Sequence, residues 1–464
     1  MADDETIFAP STAPGRAGVA VIRVSGPRAG DALSALTGGA LPPPRQAVLR
    51  RLADPSDGEP IDRALVLWFP APGSFTGEDV AELHLHGGRA VVAAVLAALA
   101  ALPGLAPAAA GAFTRRAFDN GKLDLTAVEG LADLIDAETE AQRRQALRQM
   151  EGGLARLTED WAARLLRVLA HFEAAIDFVE EELPEGLDGK ALAAAAKVAE
   201  EIAAALEDDR RGERLREGLS AVILGAPNAG KSSLLNAIAQ REAAIVSSLA
   251  GTTRDVIEVH LDLGGFPVTL SDTAGLREAA GDAAEGEGHW DIEREGISRA
   301  RQRAAQADMT LLVIDLQAGA SLPAEVQALR DGRSLVVLNK ADLAPQAAAG
   351  VLRDLAADGA SEPDGCFVVS AETGEGLSGL VAAMVERARD CAESGEGAAA
   401  ITRERHRRAL QDCLAALKAS ESAAMPELVA EELRLAMRAL GRITGRVDVE
   451  DLLDVVFQDF CIGK

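Results

Sequence analysis

Eight consecutive residues, Gly225-Ala226-Pro227-Asn228-Ala229-Gly230-Lys231-Ser232, place two glycines, a lysine and a hydroxyl at the spacing of a phosphate-binding loop. Glycine at 225 and 230 lets the backbone curl until its N–H groups face a phosphate, with the positive end of a helix behind them. Lys231 adds a mobile cation and Ser232 a hydroxyl suited to Mg²⁺, and the segment from Asn228 through Ala229 and Gly230 to Ser233 is the expected phosphate contact. An apolar run at 221–224 leads in and a helix-forming stretch at 233–239 leads out. That strand-turn-helix setting separates the loop from an ordinary glycine turn.

Four later segments stand in the order that a guanine-nucleotide switch requires. Gly251-Thr252-Thr253-Arg254 can lend a second Mg²⁺ ligand, Thr253, from a mobile loop. Asp272-Thr273-Ala274-Gly275 ends the apolar run 268–270, where Asp272 can hold the metal's water shell and the Gly275 amide can sense a γ-phosphate. Asn339-Lys340-Ala341-Asp342 ends the apolar run 334–338, and the Asp342 carboxylate can accept from both guanine N1–H and the exocyclic amine. Adenine offers no such donor pair, and a carboxylate left unpaired in a pocket costs about 1–3 kcal/mol or more, which selects GTP over ATP. Ser370-Ala371-Glu372, after the strand-like 366–369, closes the base pocket with backbone donors. The residue after Gly275 is Leu276, where signalling GTPases commonly carry a water-orienting glutamine. Catalysis must then come from another acid, a partner chain, or a cation in the place of an arginine finger, and Asn228 offers a carbonyl oxygen to such a cation.

These loops need a frame, and the pattern of the chain supplies one. Strands and helices alternate over 218–378, which predicts an α/β P-loop GTPase domain with a doubly wound, mainly parallel sheet. Residues 1–120 alternate strand-like runs at 19–24, 64–69 and 80–86 with Pro/Gly turns and a helix at 90–102, an α+β pattern. Residues 121–217 and 379–464 read as helices, so the GTPase domain is expected to be inserted in an α-helical domain. The chain of 464 residues is long enough for two or three domains.

Composition narrows the partners. With 47 basic against 73 acidic residues the net charge is −26, which argues against a broad polyanion-binding surface. The strongest local positive features are Arg434, Arg438, Arg442 and Arg446, which share one helix face, and the cluster Arg403, Arg405, Arg407 and Arg408. In isolation each reads as a solvated charged face; on so acidic a chain they are also the best candidates for a phosphate backbone. The acidic start and the absence of a long apolar run predict a cytoplasmic chain with no membrane span. Cys366, Cys391, Cys413 and Cys461 lack C-x-x-C spacing and give no zinc site.

Three further segments carry a family likeness: Ser74-Phe75-Thr76-Gly77-Glu78-Asp79 running on to His86-Gly87-Gly88; Phe113-Thr114-Arg115-Arg116-Ala117-Phe118 with Asn120-Gly121-Lys122-Leu123-Asp124-Leu125; and the terminal Cys461-Ile462-Gly463-Lys464. Together with the nucleotide loops, the chain resembles the MnmE (TrmE) family of tRNA modification GTPases along essentially its whole length. The resemblance implies a folate-binding N-terminal domain that also holds a homodimer together, a discontinuous helical domain and the inserted GTPase domain. It implies work with a flavoprotein partner, MnmG, which brings the FAD, to add an aminomethyl or carboxymethylaminomethyl group at C5 of the wobble uridine of certain tRNAs. The one-carbon unit would come from 5,10-methylenetetrahydrofolate or 5-formyltetrahydrofolate, held by Arg23, Glu82, Lys122 and Lys464.

For hydrolysis, the resemblance implies a potassium ion at paired GTPase domains. The loop Ser247-Ser248-Leu249-Ala250-Gly251-Thr252-Thr253 joins the nucleotide site, and Ser247, Leu249 and Thr252 would hold the potassium with Asn228. The water-orienting glutamate maps to Glu293, although an acidic insertion around 279–290 leaves Asp291, Glu287 and Glu295 as neighbours in register. Cys461 has two readings, a nucleophilic thiol beside Lys464 or part of a tail that folds over the ligand. The competing function is a ribosome-assembly or regulatory GTPase that acts only as a binding switch.

Overall fold

The computed structural model describes residues 5–177, 187–242, 257–272, 302–318, 330–357, 365–392, 401–447, 453, 456–457, 460 and 463. They form two compact units, one of residues 1–132, 149–195 and 415–464, the other of residues 133–148 and 196–414.

The first unit is built on a six-stranded mixed sheet: β1 (Thr6–Pro10), β2 (Ala17–Ser25), β3 (Val48–Ala53), β4 (Pro60–Phe69), β5 (Val80–Gly87) and β6 (Leu105–Pro107), in the order β3-β4-β5-β2-β1-β6. Alternation along β5 decides its faces: Ala81, Leu83 and Leu85 are buried while Glu82, His84 and His86 point the other way. The apolar face carries helices Ala29–Thr37 and Arg89–Ala100, whose Leu33, Leu36, Val95 and Leu99 pack on Ile22, Val24, Val66 and Leu83. The opposite face is only partly covered, with Phe113 against Ile7 and Ala9, and leaves Leu49 and Leu65 exposed at 54% and 44%.

Helices Gly153–Asp177 and Pro426–Thr444 of this unit pack through helix-spaced stripes, Trp161, Leu165, Val168 and Phe172 on one and Leu433, Ala436, Leu440 and Ile443 on the other. Across this pair Arg434 meets Glu173 and Arg446 meets Glu159. Two members of the arginine face are thus tied to carboxylates within the unit.

The second unit carries β7 (Leu219–Gly225), β8 (Ile257–Leu263), β9 (Phe266–Asp272), β10 (Met309–Asp315), β11 (Ser334–Asn339) and β12 (Cys366–Val368) in the order β12-β11-β10-β7-β9-β8. All pairings are parallel except β8 with β9. β11 is buried at every position and β10 at all but its last, as a sheet covered on both faces requires. Helices Lys231–Arg241 and Leu377–Ala392 cover one face through Leu234, Ile238, Leu380 and Met384; helix Ala348–Ala357 contributes Val351 to the other. Gly264 and Gly265, at φ 63° and 96°, form the two-residue turn between β8 and β9, a conformation that favours glycine at both positions.

This is the mainly parallel α/β fold expected over 218–378. In this unit the second arginine cluster is engaged by carboxylates, and one member, Arg407, is buried. Arg407 is 8% exposed and donates to Asp208 at 2.6 Å and Glu213 at 3.2 Å, while Arg403 meets Asp133 at 2.8 Å and Arg408 meets Glu404 at 3.0 Å. Such pairs leave little of this charge for a phosphate backbone. Burial pushes the Cys413 thiol up to about 12, and those of Cys366 and Cys391 also rise, which suits inert packing.

Candidate active site

Every described nucleotide-site residue lies at the carboxyl end of a parallel strand, where open α/β sheets bind ligands. β7 runs into the loop at 225–230, β9 ends on Asp272, β10 on Asp315, β11 on Asn339, and Ser370 follows β12. Helix Lys231–Arg241 starts directly after Gly230 and aims its free N–H groups at the loop.

The loop is held from the neighbouring strand. Asn339, buried, donates through Nδ2 to Ala229 O at 3.0 Å and accepts from Ala371 N–H at 3.1 Å, so one side chain joins the phosphate loop to the Ser370-Ala371-Glu372 segment. That approach leaves no room at residue 230: a Cβ there would lie 2.3 Å from Asn339 Nδ2, and the residue sits at φ 87°. Lys231 Nζ donates to Gly225 O and Ala226 O at 3.1 and 2.8 Å. Asn228 is exposed and holds a left-handed φ of 63°, and Ser233 is also exposed.

Ser232 Oγ donates to Asp272 Oδ2 at 2.6 Å, and Asp272 is 1% exposed. The hydroxyl and the acid assigned to one Mg²⁺ therefore meet at the loop floor, an oxygen donor set that suits a hard cation. Lys340, at φ 65°, turns the chain after β11 and donates through Nζ to Asp315 Oδ2 at 2.6 Å. Burial works against charge on Asp315, but Lys340 and the backbone N–H groups of Gln317 and Ala318 outweigh it and hold the carboxyl below the ordinary carboxylate range. Ala341 N–H donates to Val369 O at 3.1 Å, and this turn leaves Asp342 exposed on the rim with Glu372. Asp315 was not anticipated, although an apolar run closed by an acid, as at Asp272, marks it in the sequence.

In the other unit, Arg23 and Glu82 face each other across β2 and β5, with Arg23 Nη2 3.0 Å and Nε 3.1 Å from Glu82 Oε1. Among the described residues Glu82 Oε2 meets only His84 Nε2, at 3.4 Å, and so keeps acceptor capacity for a ligand's N–H groups. Phe75 and Phe113 place their rings 5.3 and 5.7 Å from the Arg23 guanidinium carbon. Arg116 donates to Glu78 at 2.8 Å and Ser25 O at 3.1 Å, and Ser25 and Thr76 hydroxyls meet at 2.7 Å, which holds the 74–79 segment beside the pair. Lys122 donates to Pro72 O at 3.0 Å. Gly463 O accepts from Ser11 Oγ at 2.9 Å, which seats one tail residue at the end of β1.

Ser247, Ser248, Leu249, Ala250, Gly251, Thr252, Thr253, Thr273, Ala274, Gly275, Leu276, Glu293, Cys461 and Lys464 lie outside the described residues.

The family model for the GTP-binding protein TrmE N-terminus matches residues 6–122, and that for the MnmE helical domain matches residues 125–461. The chain belongs to the MnmE family. A tRNA modification GTPase MnmE from Parvibaculum lavamentivorans is 57% identical over 464 residues, covering 99% of this chain and 100% of that one. The Rhodospirillum rubrum MnmE is 55% identical over 474 residues, covering 99% of each chain. A mitochondrial 5-taurinomethyluridine-[tRNA] synthase subunit of Danio rerio is 48% identical over 481 residues, covering 99% of this chain and 93% of that one. MnmE membership accounts for a GTPase fold and a TrmE-type N-terminal sheet in one polypeptide. Among the described residues, no helix is long and apolar enough to cross a membrane.

Proposed function

We propose that this chain hydrolyses GTP and that the nucleotide cycle gates addition of an aminomethyl or carboxymethylaminomethyl group at C5 of the wobble uridine of certain tRNAs. The observation that carries the reading is the Arg23–Glu82 pair on a sparsely covered sheet face, in a chain that also holds a guanine-nucleotide site. The Danio rerio relative's name, which specifies a 5-substituted uridine in tRNA, supports the same chemistry.

At the nucleotide, Lys231 and the loop amides bind phosphate, Asp342 selects guanine, and Ser232 with Thr253 would hold Mg²⁺ while Asp272 orients its water shell. Mg²⁺ when bound neutralises charge at the β- and γ-phosphates. Asn228, Ser247, Leu249 and Thr252 would hold a potassium ion, which would supply the positive charge that an arginine finger gives elsewhere. Glu293 orients the attacking water, since Leu276 cannot. Lys464 and Lys122 would join Arg23 and Glu82 at the tetrahydrofolate, and Cys461 would serve there as a nucleophilic thiol or as part of a tail folded over the ligand. Glu82 suits the N–H donors of a pterin and Arg23 its carbonyl or a carboxylate. Homodimerisation through the N-terminal sheets is supported by the exposed Leu49 and Leu65, and the flavoprotein MnmG brings FAD as the partner.

Calorimetric titration with 5-formyltetrahydrofolate tests the folate reading. Glu82→Ala is expected to weaken binding by roughly 10- to 100-fold, the loss of a hydrogen-bonded charged group. Wild-type affinity in a variant with an unchanged melting temperature would count against it.

A further inference from the structure

On the face that bears Glu82, the β3-β4-β5 end of the sheet holds an open cavity of about 660 Å³ lined by Arg51, Pro60, Ile61, Asp62, Arg63 and His86. Two features mark it as built for an anion. Arg51 and Arg63 are directly opposite each other across β3 and β4, an arrangement of like charges that destabilises a sheet unless a counter-charge sits between them. Among the described residues neither guanidinium forms an ion pair, and both are exposed. His86 lines the cavity beside them: its Nδ1 meets Asp62 Oδ1 at 2.7 Å, and Asp62 Oδ2 accepts from the His86 backbone N–H at 2.9 Å. Asp62 is the acceptor, so Nδ1 carries the proton, and in the neutral ring Nε2 is left as an acceptor.

The cavity's position names its ligand. Glu82, His84 and His86 alternate along β5 on one face, so His86 lies about 13 Å along the strand from Glu82. A pterin, an aminobenzoyl ring and a glutamate laid end to end span a distance of that order. We propose that Arg51 and Arg63, beside His86, form the subsite for the glutamyl carboxylates of the folate, with the pterin at Arg23 and Glu82. The planar guanidinium fork matches a carboxylate, and a second or third γ-linked glutamate adds charge without needing a deeper pocket. This subsite rests on the folate reading above and extends it to preference for polyglutamylated carriers.

The test compares three probes by calorimetry at low salt: 5-formyltetrahydrofolate, its triglutamate, and a 5-formyltetrahydropterin that lacks the aminobenzoyl-glutamate tail. Wild type is expected to bind the triglutamate more tightly than the monoglutamate. The double variant Arg51→Ser with Arg63→Ser should lose that preference and weaken triglutamate binding by about tenfold, with the truncated pterin unaffected. Added salt should erode wild-type triglutamate affinity more than the variant's. Equal loss for all three probes, or no loss for any, overturns the subsite while leaving the folate reading intact. Weakened tRNA binding with folate affinities unchanged also overturns it and assigns the arginines to RNA phosphate. A wild-type chain that binds none of the probes overturns the folate reading and the subsite together.

Discussion

Asp342→Asn is expected to weaken GTP binding by roughly 10²- to 10³-fold and to give xanthosine triphosphate the advantage, from loss of two hydrogen bonds to a charged acceptor. The replacement keeps the shape of the side chain but turns an NH₂ donor toward the guanine N1–H and amine. Xanthine carries a carbonyl where guanine carries that amine, and so complements the asparagine. The fold should be indifferent. Asp342 is exposed, while the turn that presents it is held by Ala341 N–H on Val369 O and by the Lys340–Asp315 contact. Titration with a fluorescent GTP and XTP pair reads the effect; an unchanged GTP affinity would remove Asp342 from the base pocket.

Glu293→Ala is expected to lower the GTP turnover number by roughly 10²- to 10⁴-fold, the range for loss of a group that positions and activates a nucleophile. GTP affinity should stay near wild type, because the phosphate and base contacts lie on other residues. Leu276 makes the demand for such an acid explicit. Single-turnover hydrolysis in potassium buffer is the measurement, with Asp291→Ala, Glu287→Ala and Glu295→Ala alongside. A full rate in Glu293→Ala with a collapse in one of the others would move the assignment to that residue.

Much of the GTPase fold was legible because buried parallel strands are continuous apolar runs. The runs at 221–224 and 334–338 stand out in the chain and become the cores of β7 and β11. The chemistry at their ends was legible for the same reason, since a polar residue closing such a run falls at the sheet's carboxyl edge. What pairs with what was not legible. Nothing in the sequence shows that Asn339 holds Ala229 and Ala371 together, because that contact spans more than a hundred residues and depends on strand order. The arginines at 434 and 446 repeat like an open cationic face, yet their charge meets Glu173 and Glu159 on another helix. β1 and β6 are short and each ends on a proline, which hid them; strand pairing in the sheet is what makes them strands. The opposed Arg51 and Arg63 depend on a cross-strand register that local pattern cannot supply.

Mass spectrometry of wobble nucleosides, in tRNA from cells with this chain deleted and from cells complemented with it, tests the tRNA modification reading most directly. Loss of the C5-substituted uridine on deletion and its return on complementation is the predicted result. A uridine profile identical in both would contradict it, and would leave the chain a GTPase whose covalent chemistry ends at the nucleotide.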